Sequence, residues 1–119
     1  MTTAIAVSVT RTEDLAADTR GAIIAVCIAA HAVEDYKNLF TYVPAGGLHF
    51  LAWAGAQLVS HAMVTTRWLQ VPGGPLLKTA YVDAVSTVPT RQGQGYGSAV
   101  MRALAAGIEA DFEVAGLET

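Results

Sequence analysis

At residues 91–98 the chain reads Arg91-Gln92-Gly93-Gln94-Gly95-Tyr96-Gly97-Ser98, so that three glycines alternate with larger residues. The segment before this run has the pattern of a strand, and the segment after it has the apolar spacing of a helix. Glycine lacks a Cβ atom, which allows a tight turn and a close approach of backbone N–H groups to a ligand. A helix that begins there adds unpaired N–H groups and the positive end of its dipole. The run therefore predicts a binding site for a phosphate or pyrophosphate group.

The segments around this run predict an α+β fold with a mostly antiparallel sheet and flanking helices. Thr12-Glu13-Asp14 supplies an N-cap and early acidic residues for a first helix. Pro72-Gly73-Gly74-Pro75 is a strong turn signal between two strands of a meander. In the last helix, Val100, Leu104, Ile108 and Phe112 recur at a spacing of four. The predicted order is β-α-α-β-β-β-α-β. Strands are predicted at 4–9, 48–54, 58–71 and 76–88, and the first residues of another strand at 115–117. Helices are predicted after Thr12 to about Ala30, at 33–40 and at 94–112.

Two other nucleotide-binding loops fit the glycine run poorly. A dinucleotide fingerprint requires Gly-x-Gly-x-x-Gly in a β-α-β unit, whereas here the preceding strand closes a meander. A phosphate-loop NTPase requires Gly-Lys-Ser/Thr, and the run contains no lysine. A loop without a ligand is the remaining alternative, although it leaves the three alternating glycines before a helix unexplained.

Composition places the chain among single-domain globular proteins. Of its 119 residues 53% are apolar and 14% are charged, which predicts one domain over residues 1–119. The net charge of −3 and the lack of a basic cluster argue against nucleic acid as a partner. No apolar run is long enough to span a membrane, and no signal peptide is visible.

The cysteine and histidine content predicts neither a disulfide nor a metal site. Cys27 is the only cysteine, and its apolar helical setting indicates a buried small hydrophobe in a reducing compartment. His31 and His49 have no neighbours at metal-ligand spacing. His61 lies in mid-strand, where a hydrogen-bonded sheet histidine is a more common role than a base. We expect a cytoplasmic protein without a bound metal.

The glycine run resembles motif A of the GNAT superfamily of acyl-CoA-dependent N-acyltransferases. The motif, Gln/Arg-x-x-Gly-x-Gly/Ala, is matched by Gln92, Gly95 and Gly97, and Pro89 matches a proline that is typical before it. In that family the backbone amides of the loop bind the pyrophosphate of CoA. The resemblance therefore implies a GNAT-like domain that uses acetyl-CoA as co-substrate. It implies CoA contacts at Val85, Ser86, Thr87, Gln92, Gly93, Gln94, Gly95, Tyr96, Gly97 and Ser98.

A narrower resemblance, to aminoglycoside 2'-N-acetyltransferases, covers most of the chain. It is carried by Gly46 to Trp53, His61-Ala62, Arg67 and Tyr81-Val82-Asp83, together with the glycine run. Asp35-Tyr36 falls where those enzymes have an acidic–aromatic pair that meets the aminoglycoside. Asp83 falls where they have a glutamate that serves the substrate. The resemblance implies substrate contacts at Asp35, Asp83 and Ala84.

Asp83 is the candidate catalytic residue. By period two, Tyr81, Asp83, Val85 and Thr87 share one face of the last meander strand. The other face, predicted to lie on the core, consists of Ala80, Val82, Ala84 and Val88. A carboxylate there could bind an ammonium group or accept its proton through water. A solvated strand residue is the alternative for Asp83, and a solvated helix residue beside Glu34 is the alternative for Asp35.

Two functions are compatible with these observations. The first is an acetyl-CoA-dependent N-acetyltransferase that transfers an acetyl group directly to a primary amine of a small molecule, with aminoglycosides among the candidates. The resemblance also implies that the chain covers the N-terminal two-thirds of the usual fold and is truncated after the start of strand five. The second function is therefore a catalytically silent CoA-binding or dimerisation module, because an open sheet edge is a template for pairing in a homodimer.

Overall fold

A computed structural model describes residues 5–112 and 114–117 of the chain. The chain begins with strand β1 (Val7–Arg11), helix α1 (Ala17–His31) and the short helix α2 (Leu39–Tyr42). A meander of β2 (Leu48–Ala54), β3 (Gln57–Gln70) and β4 (Leu76–Thr87) follows, and then α3 (Tyr96–Asp111) and β5 (Val114–Leu117). Three 3-10 turns lie at Thr12–Asp14, Glu34–Asn38 and Pro89–Arg91. The predicted α+β fold with flanking helices is confirmed.

The strands form one sheet in the order β1-β2-β3-β4-β5. The pairs β1–β2, β2–β3 and β3–β4 are antiparallel, whereas β5 runs parallel to β4. A parallel neighbour requires a crossover, which α3 supplies. The β5 ladder covers Thr79 to Val82, so that, within the described ranges, the half of β4 from Asp83 onward pairs only with β3.

Each face of the sheet carries its own hydrophobic core. On one face α1 packs against β3 and β4, with a core that includes Ile23, Val26, Cys27, Leu51, Met63 and Ala84. On the other face α3 packs against β2, β3 and β4, with a core that includes Phe50, Ala62, Val82, Val100 and Leu104. Ile108 and Phe112 pack at the edge of this second core. The spacing of four in the last helix is thereby confirmed as its buried face.

A β-bulge interrupts β4 at Ala84 and Val85. His61 on β3 pairs with Ser86 and Met63 pairs with Asp83, which leaves one residue on β3 opposite two on β4. Ala84 has a φ of 51°, in the left-handed region that residues with a Cβ rarely adopt. The bulge therefore places a conformation that favours glycine at an alanine.

The bulge also changes which side chains share a face of β4. Ala80 and Val82 belong to the α3 core, but Ala84 and Val88 belong to the α1 core. The predicted common face of these four residues is wrong, because period two cannot continue through an extra residue. Val85, predicted to lie opposite the core, packs against the α3 core instead.

The start of the first helix also differs from the prediction. Thr12–Asp14 forms a separate 3-10 turn, and α1 begins at Ala17 without a side-chain cap. The Thr12 hydroxyl lies 2.8 Å from Nε2 of His49. Thr12 therefore does not cap the helix, because its side chain is bonded to a residue on β2.

We predict that the two cores are sensitive to truncation in proportion to burial. Leu104→Ala is expected to lower the free energy of unfolding by about 2–5 kcal/mol, because the side chain is 2% exposed and its removal leaves a cavity. Leu76→Ala is the matched control, since Leu76 is 58% exposed, and it is expected to cost less than about 1 kcal/mol. Urea unfolding of both variants measures the difference, and equal losses would contradict the packing of α3.

Candidate functional site

The phosphate loop, residues 92–98, contains two glycines in conformations that favour glycine. Gly93 and Gly95 have φ values of 78° and 93°. Gly95 is the N-cap of α3, and no side chain caps this helix end. The N–H of Ala99 donates to the Gly95 carbonyl at 3.0 Å, as the first bond of the helix. The preceding N–H groups of the first turn are therefore directed out of the helix, as an anion site requires.

Contacts with the end of β4 fix the position of this loop. A Cβ atom at Gly97 would lie 3.1 Å from the Thr87 hydroxyl oxygen, so that only glycine allows this close an approach without a shift. Gln92 Nε2 donates to the Thr87 carbonyl at 3.2 Å. The N–H of Val88 donates to the Val59 carbonyl on β3 at 2.9 Å. The loop therefore begins where β4 ends, with little freedom between the two.

A cavity of about 280 Å³ lies at the other end of this half of β4. Its lining residues come from the turn after α1, from α2 and from β4, and are Val33, Asp35, Tyr36, Tyr42 and Asp83. Two carboxylates and two phenols thus face one space, here called the acidic pocket. Carboxylates on the walls of a cleft attract cations. The structure brings Asp35 and Asp83 together on one cavity, and their contact with a substrate stays a prediction.

The acidic pocket and the phosphate loop are separated by one short stretch of strand. Asp83 and Thr87 pair with Met63 and Ser60, three residues apart on β3, so at about 3.3 Å per residue they lie about 10 Å apart along the sheet. The bulge at Ala84 and Val85 lies between them. A ligand that reaches from the loop to the pocket must therefore pass the bulge.

Some of the predicted ligand residues turn their side chains away from this surface. Ser86 is 3% exposed, and its hydroxyl lies 3.0 Å from His31 Nε2 and 3.3 Å from the Ala84 carbonyl. The Ala84 side chain lies in the α1 core, and the Tyr96 ring packs against both cores. At Ala84 and Ser86 a ligand contact therefore falls to the backbone.

Four groups that the sequence did not connect form a buried chain of hydrogen bonds to the bulge. The Thr12 hydroxyl lies 2.8 Å from His49 Nε2, and His49 Nδ1 lies 2.9 Å from His61 Nε2. His61 Nδ1 then donates to the Ala84 carbonyl at 2.9 Å. We call this chain the histidine relay. No pattern within β2 or β3 indicates it, because its members are distant in sequence.

Burial sets the protonation state of the relay. It lowers the pKa of His61 to about 3, with a further contribution from His49, and lowers the pKa of His49 to about 4, with a further contribution from Arg20. Both rings are therefore neutral at pH 7. A carbonyl oxygen only accepts, so His61 carries its proton on Nδ1 and accepts at Nε2 from His49 Nδ1. His49 Nε2 then accepts from the Thr12 hydroxyl.

His31 contacts the bulge from the end of α1. Its Nε2 donates to the Val85 carbonyl at 2.9 Å, and its ring stacks on Tyr36 with centroids 5.4 Å apart. Sequence reasoning considered His31 only as a metal ligand and missed this contact. Cys27 is buried beside it in the α1 core, where burial raises the pKa of the thiol to about 11. Cys27 is therefore a protonated core residue, as predicted, rather than a nucleophile.

Two further classes of site are absent from the described residues. No group of three histidine, cysteine or acidic side chains there could hold a metal ion. In the same part of the chain no helix has the length and apolar character that crossing a membrane requires.

An antiparallel meander that ends in a bulged strand is thus followed by a glycine loop and by a helix whose N-terminus has no side-chain cap. The chain matches the acetyltransferase (GNAT) domain family over residues 15–115 and belongs to that family. No curated protein matches the chain by sequence.

Solved structures of low sequence identity share the fold. Eis1 from Mycobacterium abscessus superposes with a TM-score of 0.68 at 19% identity, over 88% of this chain and 25% of Eis1. An acyl-CoA N-acyltransferase from Pseudomonas aeruginosa gives 0.68 at 20% identity, over 93% of this chain and 75% of that one. Glucosamine-6-phosphate N-acetyltransferase from Arabidopsis thaliana superposes with a TM-score of 0.64 at 12% identity, over 96% of this chain and 82% of that one. The chain thus spans about a quarter of Eis1.

We predict that the relay makes stability fall on mild acidification. The pKa values of His49 and His61 lie near 4 and 3 in the folded chain, against about 6.5 for an unfolded histidine. As pH falls below about 6.5 the unfolded chain therefore takes up protons that the folded chain does not. Each histidine lowers the free energy of unfolding by up to about 1.4 kcal/mol per pH unit.

Urea unfolding between pH 6.5 and pH 5 measures this slope. His49→Gln is expected to reduce it by about half, because one of the two buried titrating groups is removed. Val59→Ala, which truncates a fully buried side chain on β3 and removes no titrating group, is the control and is expected to retain it. An unchanged slope in His49→Gln would contradict the assignment of a neutral buried ring.

Proposed function

We propose that this chain is an acetyl-CoA-dependent N-acetyltransferase that transfers an acetyl group directly to a primary amine of a small molecule. The observation that carries the proposal is the arrangement along β4. A phosphate loop lies at one end of its second half, and a pocket with two carboxylates lies at the other end. One strand would thus align a CoA thioester with a cationic amine.

The residues present fit CoA as a ligand. The pyrophosphate would be bound by backbone N–H groups of the phosphate loop and the first turn of α3. The pantetheine arm would follow Val85 to Thr87, a stretch that pairs only with β3 in the described part of the chain. The thioester would then lie beside the bulge, where a backbone N–H can donate to its carbonyl oxygen.

Direct transfer requires no covalent enzyme intermediate. The neutral amine forms a bond to the thioester carbon, and the carbonyl π electrons move to the oxygen. When this intermediate collapses, the C–S bond breaks, and the thiolate takes up a proton as the amine nitrogen loses one. The products are an N-acetyl amide and CoA thiol, so that atoms and charges balance.

Asp83 and Asp35 are the proposed acceptor-binding residues, and Asp83 is the proposed catalytic residue. The N–H of Ala84 donates to Asp83 Oδ1 at 2.6 Å, which fixes the carboxylate beside the bulge. From there Asp83 can bind the ammonium form and accept its proton through water. Aminoglycosides are candidate acceptors through the sequence resemblance, and two carboxylates suit any acceptor of that polycationic class.

The alternative is a catalytically silent CoA-binding or dimerisation module. It is favoured by the half of β4 that, within the described ranges, leaves one edge without a ladder. A second copy of the chain could cover that edge. For either function we propose a cytoplasmic location, which fits a chain whose one cysteine is a reduced core residue.

Acetyl-CoA binding is predicted to depend on the conformation of Gly95. Acetyl-CoA is expected to raise the melting temperature of the chain, and Gly95→Trp to abolish this shift, because a side chain at a φ of 93° strains the loop that carries the proposed anion site. Gly55→Trp is the matched control, since Gly55 also has a positive φ of 61° in a turn with open space around it. It is expected to retain the shift. No shift with acetyl-CoA or any other acyl-CoA would contradict the proposal.

Amine recognition is predicted to depend on the acidic pocket. Asp83→Asn is expected to lower kcat/KM for a cationic amine by about 10–100-fold, the equivalent of one lost charged hydrogen bond. The thermal shift with acetyl-CoA is expected to remain, because Asp83 lies outside the phosphate loop. Asp35→Asn is expected to act mainly on KM for the amine.

Asp18→Asn is the matched control for both substitutions, because Asp18 is exposed in the first turn of α1, at the opposite end from the pocket. A free-thiol assay with acetyl-CoA and a panel of amines, aminoglycosides included, measures turnover. Acetyl-CoA binding without turnover on any amine would favour the silent module. Equal turnover in Asp83→Asn would exclude Asp83 as the catalytic residue.

A further inference from the structure

The histidine relay ends on a peptide group of the bulge rather than on a ligand-facing side chain. His61 Nδ1 donates to the carbonyl of Ala84, and both residues are buried. This carbonyl belongs to the peptide group that links Ala84 to Val85. The chain contains no cis peptide bond within its described residues, and in a trans peptide the N–H points opposite to the C=O. The bond from His61 therefore determines that the Val85 N–H points away from the relay.

A second contact fixes the next peptide group. His31 Nε2 donates to the Val85 carbonyl at 2.9 Å. Two histidines on different elements, β3 and α1, thus bond to two consecutive carbonyls of the bulge. On the other side of Ala84, its N–H donates to Asp83 Oδ1 at 2.6 Å. Side-chain contacts therefore determine the direction of each peptide group between Asp83 and Ser86.

The Val85 N–H lies between the two recognition sites of the proposed reaction. Val85 is two residues from Asp83 in the acidic pocket and two residues from Thr87 beside the phosphate loop. A thioester that reaches from the loop toward the pocket would place its carbonyl oxygen in this interval. A donor fixed in advance stabilises the negative charge that develops on that oxygen without reorganising during the reaction.

We propose that His61, oriented by His49 and Thr12, is a positioning residue that directs the Val85 N–H at the thioester carbonyl oxygen. This inference rests on the proposed function. His61 itself does not contact the substrate, since it is 0% exposed. It acts through the Ala84–Val85 peptide group, and His49 acts by donating to His61 Nε2. The relay transfers no proton in this role.

The test compares CoA with acetyl-CoA, which differ only in the acetyl group, on the ¹⁵N-labelled full chain by NMR. In the wild-type chain, both ligands are expected to shift the amide resonances of residues 95–98. Only acetyl-CoA is expected to shift the Val85 amide downfield, because only acetyl-CoA brings an acceptor to it. No response at residues 95–98 would overturn the proposed function. A response there without an acetyl-specific shift at Val85 would overturn this inference alone.

Substitutions at His61 then test whether the relay is the cause. His61→Leu removes the donor to the Ala84 carbonyl, and the acetyl-specific shift of Val85 is expected to disappear while residues 95–98 still respond. His61→Asn is expected to restore it in part, because the asparagine amide nitrogen can occupy the position of Nδ1. Retention of the full shift in His61→Leu would overturn the proposal.

A control separates positioning from loss of stability. Val59→Ala truncates a fully buried residue two positions before His61 on β3 and leaves the relay intact. It is expected to lower stability but to retain the acetyl-specific shift. If His61→Leu does not fold, His49→Phe replaces it, since a phenyl ring keeps the volume and removes the donor to His61 Nε2. An unchanged Val85 shift in His49→Phe would then overturn the role of the relay.

Turnover gives an independent measurement of the same role. With an amine that is acetylated, His61→Leu is expected to lower kcat by about 100-fold, as for loss of an oriented oxyanion donor. KM for acetyl-CoA is expected to stay within about threefold, because the phosphate loop is unchanged. A purely structural role would instead leave kcat per folded molecule unchanged, and that result would contradict the proposal.

Discussion

The bulge in β4 is the constraint on which the rest of the molecule depends. A left-handed conformation at Ala84 costs about 1–2 kcal/mol relative to an extended one. Three side-chain contacts, from Asp83, His61 and His31, hydrogen-bond the peptide groups around it. At about 0.5–1.5 kcal/mol each, these bonds are together large enough to offset the strain. The bulge therefore persists because these hydrogen bonds stabilise it. It also separates the half of β4 that pairs with β5 from the half beside the candidate site.

The polar groups in the α1 core follow from the bulge. The extra residue turns the Ala84 carbonyl toward this core, where an unpaired carbonyl would cost about 1–3 kcal/mol. His61 supplies its donor, His49 then bonds the second nitrogen of His61, and Thr12 bonds that of His49. Each ring nitrogen thus has a partner, and no buried side-chain polar atom among the described residues is left without one.

The elements that were predicted correctly are those whose sequence signals lie within a few residues of the element itself. The glycine spacing before α3, the turn signals of the meander and the spacing of Val100 and Leu104 act within a few residues, and the corresponding elements were predicted correctly. The errors have distant causes. Thr12 does not cap a helix because it bonds His49, 37 positions away, and the role of His31 depends on Val85, 54 positions away. The bulge has no local signal, since alanine stands where glycine would indicate a left-handed residue. No periodicity links a turn to a strand, so local rules could not predict that Asp35 lies near Asp83. Only the family resemblance indicated it.

The two ends of the candidate site differ in the kind of group that we propose recognises a ligand. The phosphate loop presents backbone N–H groups. Its conformation therefore requires glycine at particular positions, but the identity of the other side chains in the loop can vary. The acidic pocket presents side chains from the turn after α1, from α2 and from β4, so its preference can change by substitution at Asp35, Tyr36 or Tyr42 without moving the loop. Between them the bulge is held from the core by His61, which is buried and out of contact with either proposed ligand. A fold that divides cofactor binding, acceptor choice and peptide orientation among separate sets of residues can retain the first and third while the second varies. This division is consistent with a shared fold at 12–20% sequence identity.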